Sequence, residues 1–238
     1  MLDKKTVLVI GGSSGIGLGV ASLVAREGGR LVLIGRDEEK LAAVTQNFAT
    51  HRRDVRSFSL DATNVDALQA VLIQLGEVDH IACMVGGGLE GQFDTLHREV
   101  ASLERRSVAA LRIANAVLPH LNPGGSLTLT SGPRAKAPAS SGIAIGNRAI
   151  ELEVQALAVT SAPRIRVNAV APSWMDTPRW DDIPEDQREA QRAIIAHRTP
   201  LGRTAALAEV AAAYLFAMEN RFLTGQTLVI DGGLGLVT

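Results

Sequence analysis

The apolar run Val7-Leu8-Val9-Ile10 passes without a break into Gly11-Gly12-Ser13-Ser14-Gly15-Ile16-Gly17 and then into a helical pattern. A buried strand, a glycine turn and a helix in that order leave few folds open. Each glycine has a mechanical reading. Gly11 makes the tight turn leaving the strand, Gly15 lets the backbone approach a pyrophosphate, and Gly17 allows close packing of helix on strand. The helix start adds unpaired N–H groups and partial positive charge, which suits phosphate. A glycine turn also occurs for packing alone, but here all three parts stand in sequence.

Beyond this turn, short β-rich runs alternate with longer helical patterns, at residues 6–10, 30–34, 56–60, 79–84, 126–130, 164–170 and 227–230 for the strands. Such alternation implies βαβ crossovers and a parallel sheet, and continuously apolar strands imply cover on both faces. Helices are expected to begin near Ile16, Asp37, Asn64, Glu99, Ile143 and Leu207, the third with Thr63 as N-cap and Asp66 three residues on. The reading is one doubly wound α/β domain over residues 1–238. Residues 172–200 fit neither period; with four prolines and both tryptophans, they read as a substrate-side lid following a strand's carboxyl end.

A net charge of −1 offers no basic field for nucleic acid or an acidic membrane, and no uncharged apolar run reaches the ~18 residues of a bilayer span. A cytoplasmic protein is expected. Cys83, the single cysteine, sits in an apolar strand context and reads as a buried small hydrophobe. His51, His80, His97, His120 and His197 show no metal-ligand spacing, so no metal is expected and most should be surface or helix-end residues. The second strand ends Ile34-Gly35-Arg36-Asp37, with no acid to bind a ribose 2′-hydroxyl and an arginine able to grip a 2′-phosphate. NADP(H) is the expected cofactor, unless Arg36 merely pairs with Asp37 or Glu39.

Together with the glycine turn, Leu60-Asp61-Ala62, residues 79–86, Ala116-Val117-Leu118-Pro119, residues 165–172, Thr199-Pro200-Leu201-Gly202-Arg203 and residues 224–233 resemble the short-chain dehydrogenase/reductase family over nearly the full length. The resemblance implies a Rossmann-type sheet of seven strands in the order 3-2-1-4-5-6-7, and a homodimer or homotetramer. It also implies cofactor contacts at Gly11, Ser13, Ser14, Gly15, Ile16, Gly17, Arg36, Asp61, Ala62, Gly86, Gly87, Pro172 and Ser173. Asp61 would approach the adenine amino group; it reads equally well as a turn or cap residue.

The catalytic places depart from the family pattern. Arg106 stands where the family has a helix Asn, and the family Ser falls at Gly132 or, after a one-residue shift, Ser131. Ile143 and Asn147 occupy the Tyr and Lys places, or Ala144 and Arg148 in the shifted register. A ketone reductase needs a proton as hydride arrives, and isoleucine has none to give; a positioned acid is worth roughly 10²–10⁴ in rate. Ser131, Ser140 and Ser141 are candidates to hydrogen-bond a carbonyl, and Arg106, Arg134, Lys136 and Arg148 to place a cation near the nicotinamide. Tyr214, the sole tyrosine, lies far along the chain. Two functions follow: an oxidoreductase with atypical or weak carbonyl/alcohol activity on a small molecule, or a non-catalytic NADP(H)-binding redox sensor or partner subunit.

Overall fold

The strands alternate which side they bury. In β1 (Thr6–Ile10), Leu8 and Ile10 join the core on one face of the sheet while Val7 and Val9 join that on the other. β2 (Arg30–Gly35) repeats the pattern with Val32 and Ile34 against Leu31 and Leu33. Two apolar faces per strand demand helices on both sides, and the computed structural model has them; it describes residues 2–51, 54–85, 100–101, 103–132 and 142–237.

The remaining strands are β3 (Val55–Ser59), β4 (Val78–Cys83), β5 (Leu121–Thr130), β6 (Arg166–Pro172) and β7 (Thr227–Ile230). All seven pair in parallel in the order β3-β2-β1-β4-β5-β6-β7, as expected. The order reverses between β1 and β4, so the ligand crevice lies outside their carboxyl ends. α3 (Val65–Leu75), α4 (Ala109–Val117) and α5 (Gly142–Ser161) cover one face; α1 (Gly15–Arg26), α2 (Glu38–Thr50) and α7 (Leu207–Glu219) cover the other. A short turn, α8 (Leu234–Val237), follows β7.

Three local expectations need correction, and one histidine is an exception to the expected surface placement. The N-cap of α3 is Asn64, whose side chain accepts from the Ala67 N–H at 3.2 Å; Thr63 instead turns its N–H and hydroxyl onto Asp61. β5 begins at Leu121 rather than near Ser126, because residues 122–125 bulge beside β4: Val78 pairs with Leu121, and His80 already with Ser126. Residues 172–200 contain a helix, α6 (Glu185–Arg198), with no buried residue, which is why the segment showed no apolar period. His80 is buried, its ring hydrogen-bonded to Ser126. Cys83 is buried as expected, and burial pushes its thiol up to about 11.

Candidate active site

The glycine turn is built as its spacing requires. Gly11 and Gly15 have φ of +88° and +51°, which favour glycine. A Cβ on Gly17 would strike the Gly11 carbonyl, so α1 can lie this close to the turn only with glycine there. The side chain of Ser14, the α1 N-cap, makes no capping bond, and the first turn carries no acid, whereas Asp37 and Asn64 cap α2 and α3 with their side chains. Among the described residues, donor groups and dipole at α1 therefore have neither a capping side chain nor a first-turn acid to oppose them. Among the described residues a Cβ on Gly15 would meet only Thr177, at 3.6 Å, so the segment after β6 passes over the turn. These features fit the pyrophosphate of a dinucleotide.

On the β2–β3 side, Gly35 is buried against Ser13, and Arg36 is exposed and makes no ion pair among the described residues, for Asp37 is engaged by Lys40. Asp61 accepts from the Thr63 N–H at 2.9 Å and hydroxyl at 2.8 Å. The Thr63 N–H, opposed by partial desolvation and aided by the Thr63 hydroxyl and the Arg36 charge, holds its carboxyl below the ordinary value. Asp61 is thus a turn residue here, and it stands within the field of Arg36. Ala62 is buried in the core beside it.

Across the switch point, Met84 at the end of β4 abuts Gly11, and Ile10, Cys83 and Met84 leave this part of the floor apolar. Gly86, Gly87, Arg134, Lys136, Ser140, Ser141 and His97 lie outside the described residues. At the end of β5, Ser131 is buried, ties its N–H to the Val170 carbonyl of β6, and donates its hydroxyl to the Asn147 carbonyl at 3.1 Å. Arg106 reaches the same point from a π-helical turn, Glu104–Val108, and donates from Nη1 to Asn147 Oδ1 at 3.0 Å. Both side chains are buried. Desolvation presses the guanidinium below its ordinary value, which leaves a group of this basicity charged. Ile143 stands half-buried in the first turn of α5, and Arg148 points away, bonded to Glu151 at 2.6 Å.

Sequence position alone misplaced Tyr214. Its hydroxyl lies 2.7 Å from Thr130 Oγ1, one residue from Ser131. The single Thr130 proton goes to the Cys83 carbonyl at 2.7 Å, so the phenol is the donor. Tyr214 is fully buried, and burial drives its phenol above the ordinary value, so it is no substitute acid. Beyond the crevice, Pro172 ends β6, and the Ser173 N–H bonds the Ile230 carbonyl. In the segment after β6, Trp174 and Trp180 pack with ring centroids 5.6 Å apart, and Trp180 donates to the Met175 carbonyl. A small cavity lined by Ser173, Thr199, Leu201, Arg203, Ile230 and Gly232 opens beside this segment; of the expected cofactor residues it includes only Ser173.

The family model described as "Enoyl-(Acyl carrier protein) reductase" matches residues 11–235. The granaticin polyketide synthase putative ketoacyl reductase 2 of Streptomyces violaceoruber is 31% identical, covering 99% of this chain and 98% of its own. Among solved structures, the MalC reductase/Diels-Alderase of Malbranchea aurantiaca is 29% identical with a TM-score of 0.86, covering 99% of this chain and 98% of that one. A small-chain dehydrogenase solved in complex with NADPH is 27% identical with a TM-score of 0.81, covering 98% of this chain and 100% of its own. The sheet order, the glycine turn and these matches along the chain agree: the protein belongs to the short-chain dehydrogenase/reductase family of oxidoreductases.

Proposed function

We propose that the protein is an NADP(H)-binding oxidoreductase whose cofactor site is intact but which reduces ordinary ketones weakly, for want of the usual proton donor. The cluster at the end of β5 carries this reading. Ser131 and Arg106 both hydrogen-bond Asn147 there, Ile143 offers no proton, and the only phenol in the chain, Tyr214, is fully buried against Thr130. NADPH, when bound, supplies hydride. The uncapped start of α1 would hold its pyrophosphate, Arg36 its 2′-phosphate, and Ser131 with Pro172 and Ser173 would border the nicotinamide half. The absence of an acid at Gly35, an exposed Arg36 with no ion pair among the described residues, and the NADPH-bound relative support this cofactor over NAD(H). A non-catalytic NADP(H)-binding protein is the second reading, favoured by Ile143. The whole chain is read as one domain with residues 172–200 as its lid. Among the described residues no helix is long and apolar enough to cross a membrane, and a cytoplasmic homodimer or homotetramer is the proposed state.

Calorimetric titration with NADPH, paired with turnover on a panel of ketones, tests the reading. NADPH should bind and raise the melting temperature by mass action, while ketone turnover stays near background. Arg36→Ala should lose roughly 1.5–3 kcal/mol of NADPH binding. Brisk ketone turnover would refute the missing-acid argument; failure to bind NADPH would show that Ile10, Cys83 and Met84 have spoiled the floor.

A further inference from the structure

The residues around Arg106 are fitted to one another. A Cβ on Gly146 would lie 3.1 Å from Arg106 Cβ and 3.3 Å from its Cδ, so the glycine makes room for the arginine's stem. A Cβ on Gly132 would lie 2.5 Å from the Asn147 amide nitrogen, so this glycine makes room for the group that holds the guanidinium. The π-helical turn Glu104–Val108 rotates Arg106 inward, where it is 8% exposed. Two absent side chains and one helical irregularity thus converge on a single result, a guanidinium buried at the carboxyl end of β5.

Its place in the crevice is set by topology. A dinucleotide spanning the β1/β4 switch point has its pyrophosphate at α1 and one half on each side. Arg36 and Asp61 mark the β2–β3 side as the adenosine half, so β4, β5 and β6 border the nicotinamide half. Arg106, bonded to Asn147 beside Ser131 and Gly132, stands on that side.

We propose that Arg106, held by Asn147, is a fixed cation at the nicotinamide half of the cofactor site, and that it makes the protein favour the reduced cofactor over the oxidised one. The oxidised ring carries a positive charge and the reduced ring is neutral, so a nearby guanidinium penalises only the former. This inference rests on the NADP(H) reading above.

NADPH and NADP⁺ are titrated calorimetrically into the unaltered protein, Arg106→Lys, Arg106→Gln and the exchange Arg106→Asn with Asn147→Lys. The unaltered protein should bind NADPH roughly tenfold more tightly than NADP⁺, the order of a single like-charge repulsion in a partly solvated crevice. Arg106→Lys and the exchange keep a cation and should keep most of the ratio. Arg106→Gln should bring the ratio towards one, chiefly by tightening NADP⁺. A loss of packing alone would weaken both cofactors together, so an unchanged ratio in Arg106→Gln overturns the proposal. If that variant does not fold, a ratio near one in Arg106→Lys or in the exchange overturns it instead. Failure of both cofactors to bind the unaltered protein would overturn the NADP(H) reading itself, and this inference with it.

Discussion

Gly35→Asp should turn the cofactor preference around. The φ of Gly35 lies outside the left-handed range, so an L-residue meets no backbone strain there. A Cβ would lie 3.0 Å from Ser13 Oγ, 3.4 Å from Ser13 Cβ and 3.5 Å from Leu41 Cδ1. Only the hydroxyl is crowded, and rotation of a partly exposed serine relieves it. The new carboxylate would sit beside Arg36, where the 2′-phosphate is proposed to bind. Repulsion between a carboxylate and a phosphate of about −1.5 to −2, some 6 Å apart in a largely aqueous dielectric, costs about 1–3 kcal/mol. That weakens NADPH roughly 5- to 150-fold. NADH has a 2′-hydroxyl in place of the phosphate, and a hydrogen bond from it to the charged acid contributes about 1.5–3 kcal/mol. Titration of both cofactors into the variant, with melting temperatures as a check on folding, reads the two effects separately. If NADPH and NADH weaken in equal measure, the substitution has only disturbed the turn, and the adenosine end does not lie at Gly35 and Arg36.

Stability should fall on the acid side of neutrality through His80. Burial, only partly offset by the Asp79 charge, pushes its imidazole down to about 4, against 6.5 for the free group. Between those values the unfolded chain binds a proton that the folded one refuses, so stability declines as pH drops from 6.5 to 4, by about 3 kcal/mol, and no further below that. Urea unfolding across this range should show a shallower decline in His80→Gln; parallel curves would rule out His80 as the cause. Ile145, Leu152 and Val159 are 50%, 51% and 78% exposed at seven-residue spacing on α5, an apolar stripe that a second subunit would cover. Light scattering of Leu152→Glu should show a smaller assembly than the unaltered protein, and a monomeric mass for both would refute assembly through this face.

How much was legible in the sequence depended on whether the signal was local. The glycine turn and β1 were, because one short segment carries the strand, the positive-φ positions and the helix start. β7 was legible to the residue, at Thr227–Ile230. The start of β5 was hidden because Pro123, Gly124 and Gly125 carry loop chemistry, though they bulge along a ladder. α6 was hidden because a helix that buries nothing has no apolar face to reveal it. In the site, the proposed lack of an acid rests on Ile143, a single residue of the sequence, but the contact between Arg106 and Asn147 spans 41 residues and depends on a π-helical turn that residue spacing does not announce. Tyr214 shows the same limit from the other side: 84 residues separate it from Thr130, and the crossover that returns α7 to the sheet brings them together.

That tyrosine gives the folded chain an optical signature of its own. With one phenol in the sequence, fully buried between α7 and β5 and donating to Thr130, the native molecule has no tyrosine that alkali can reach. Burial holds the proton on the phenol, so raising the pH past the ordinary tyrosine value favours the unfolded chain, where the group is free to ionise. The ultraviolet band of tyrosinate should therefore grow in step with loss of the fold and not ahead of it. The hydrogen bond that anchors helix to strand doubles as an unlabelled indicator of whether the two are still together.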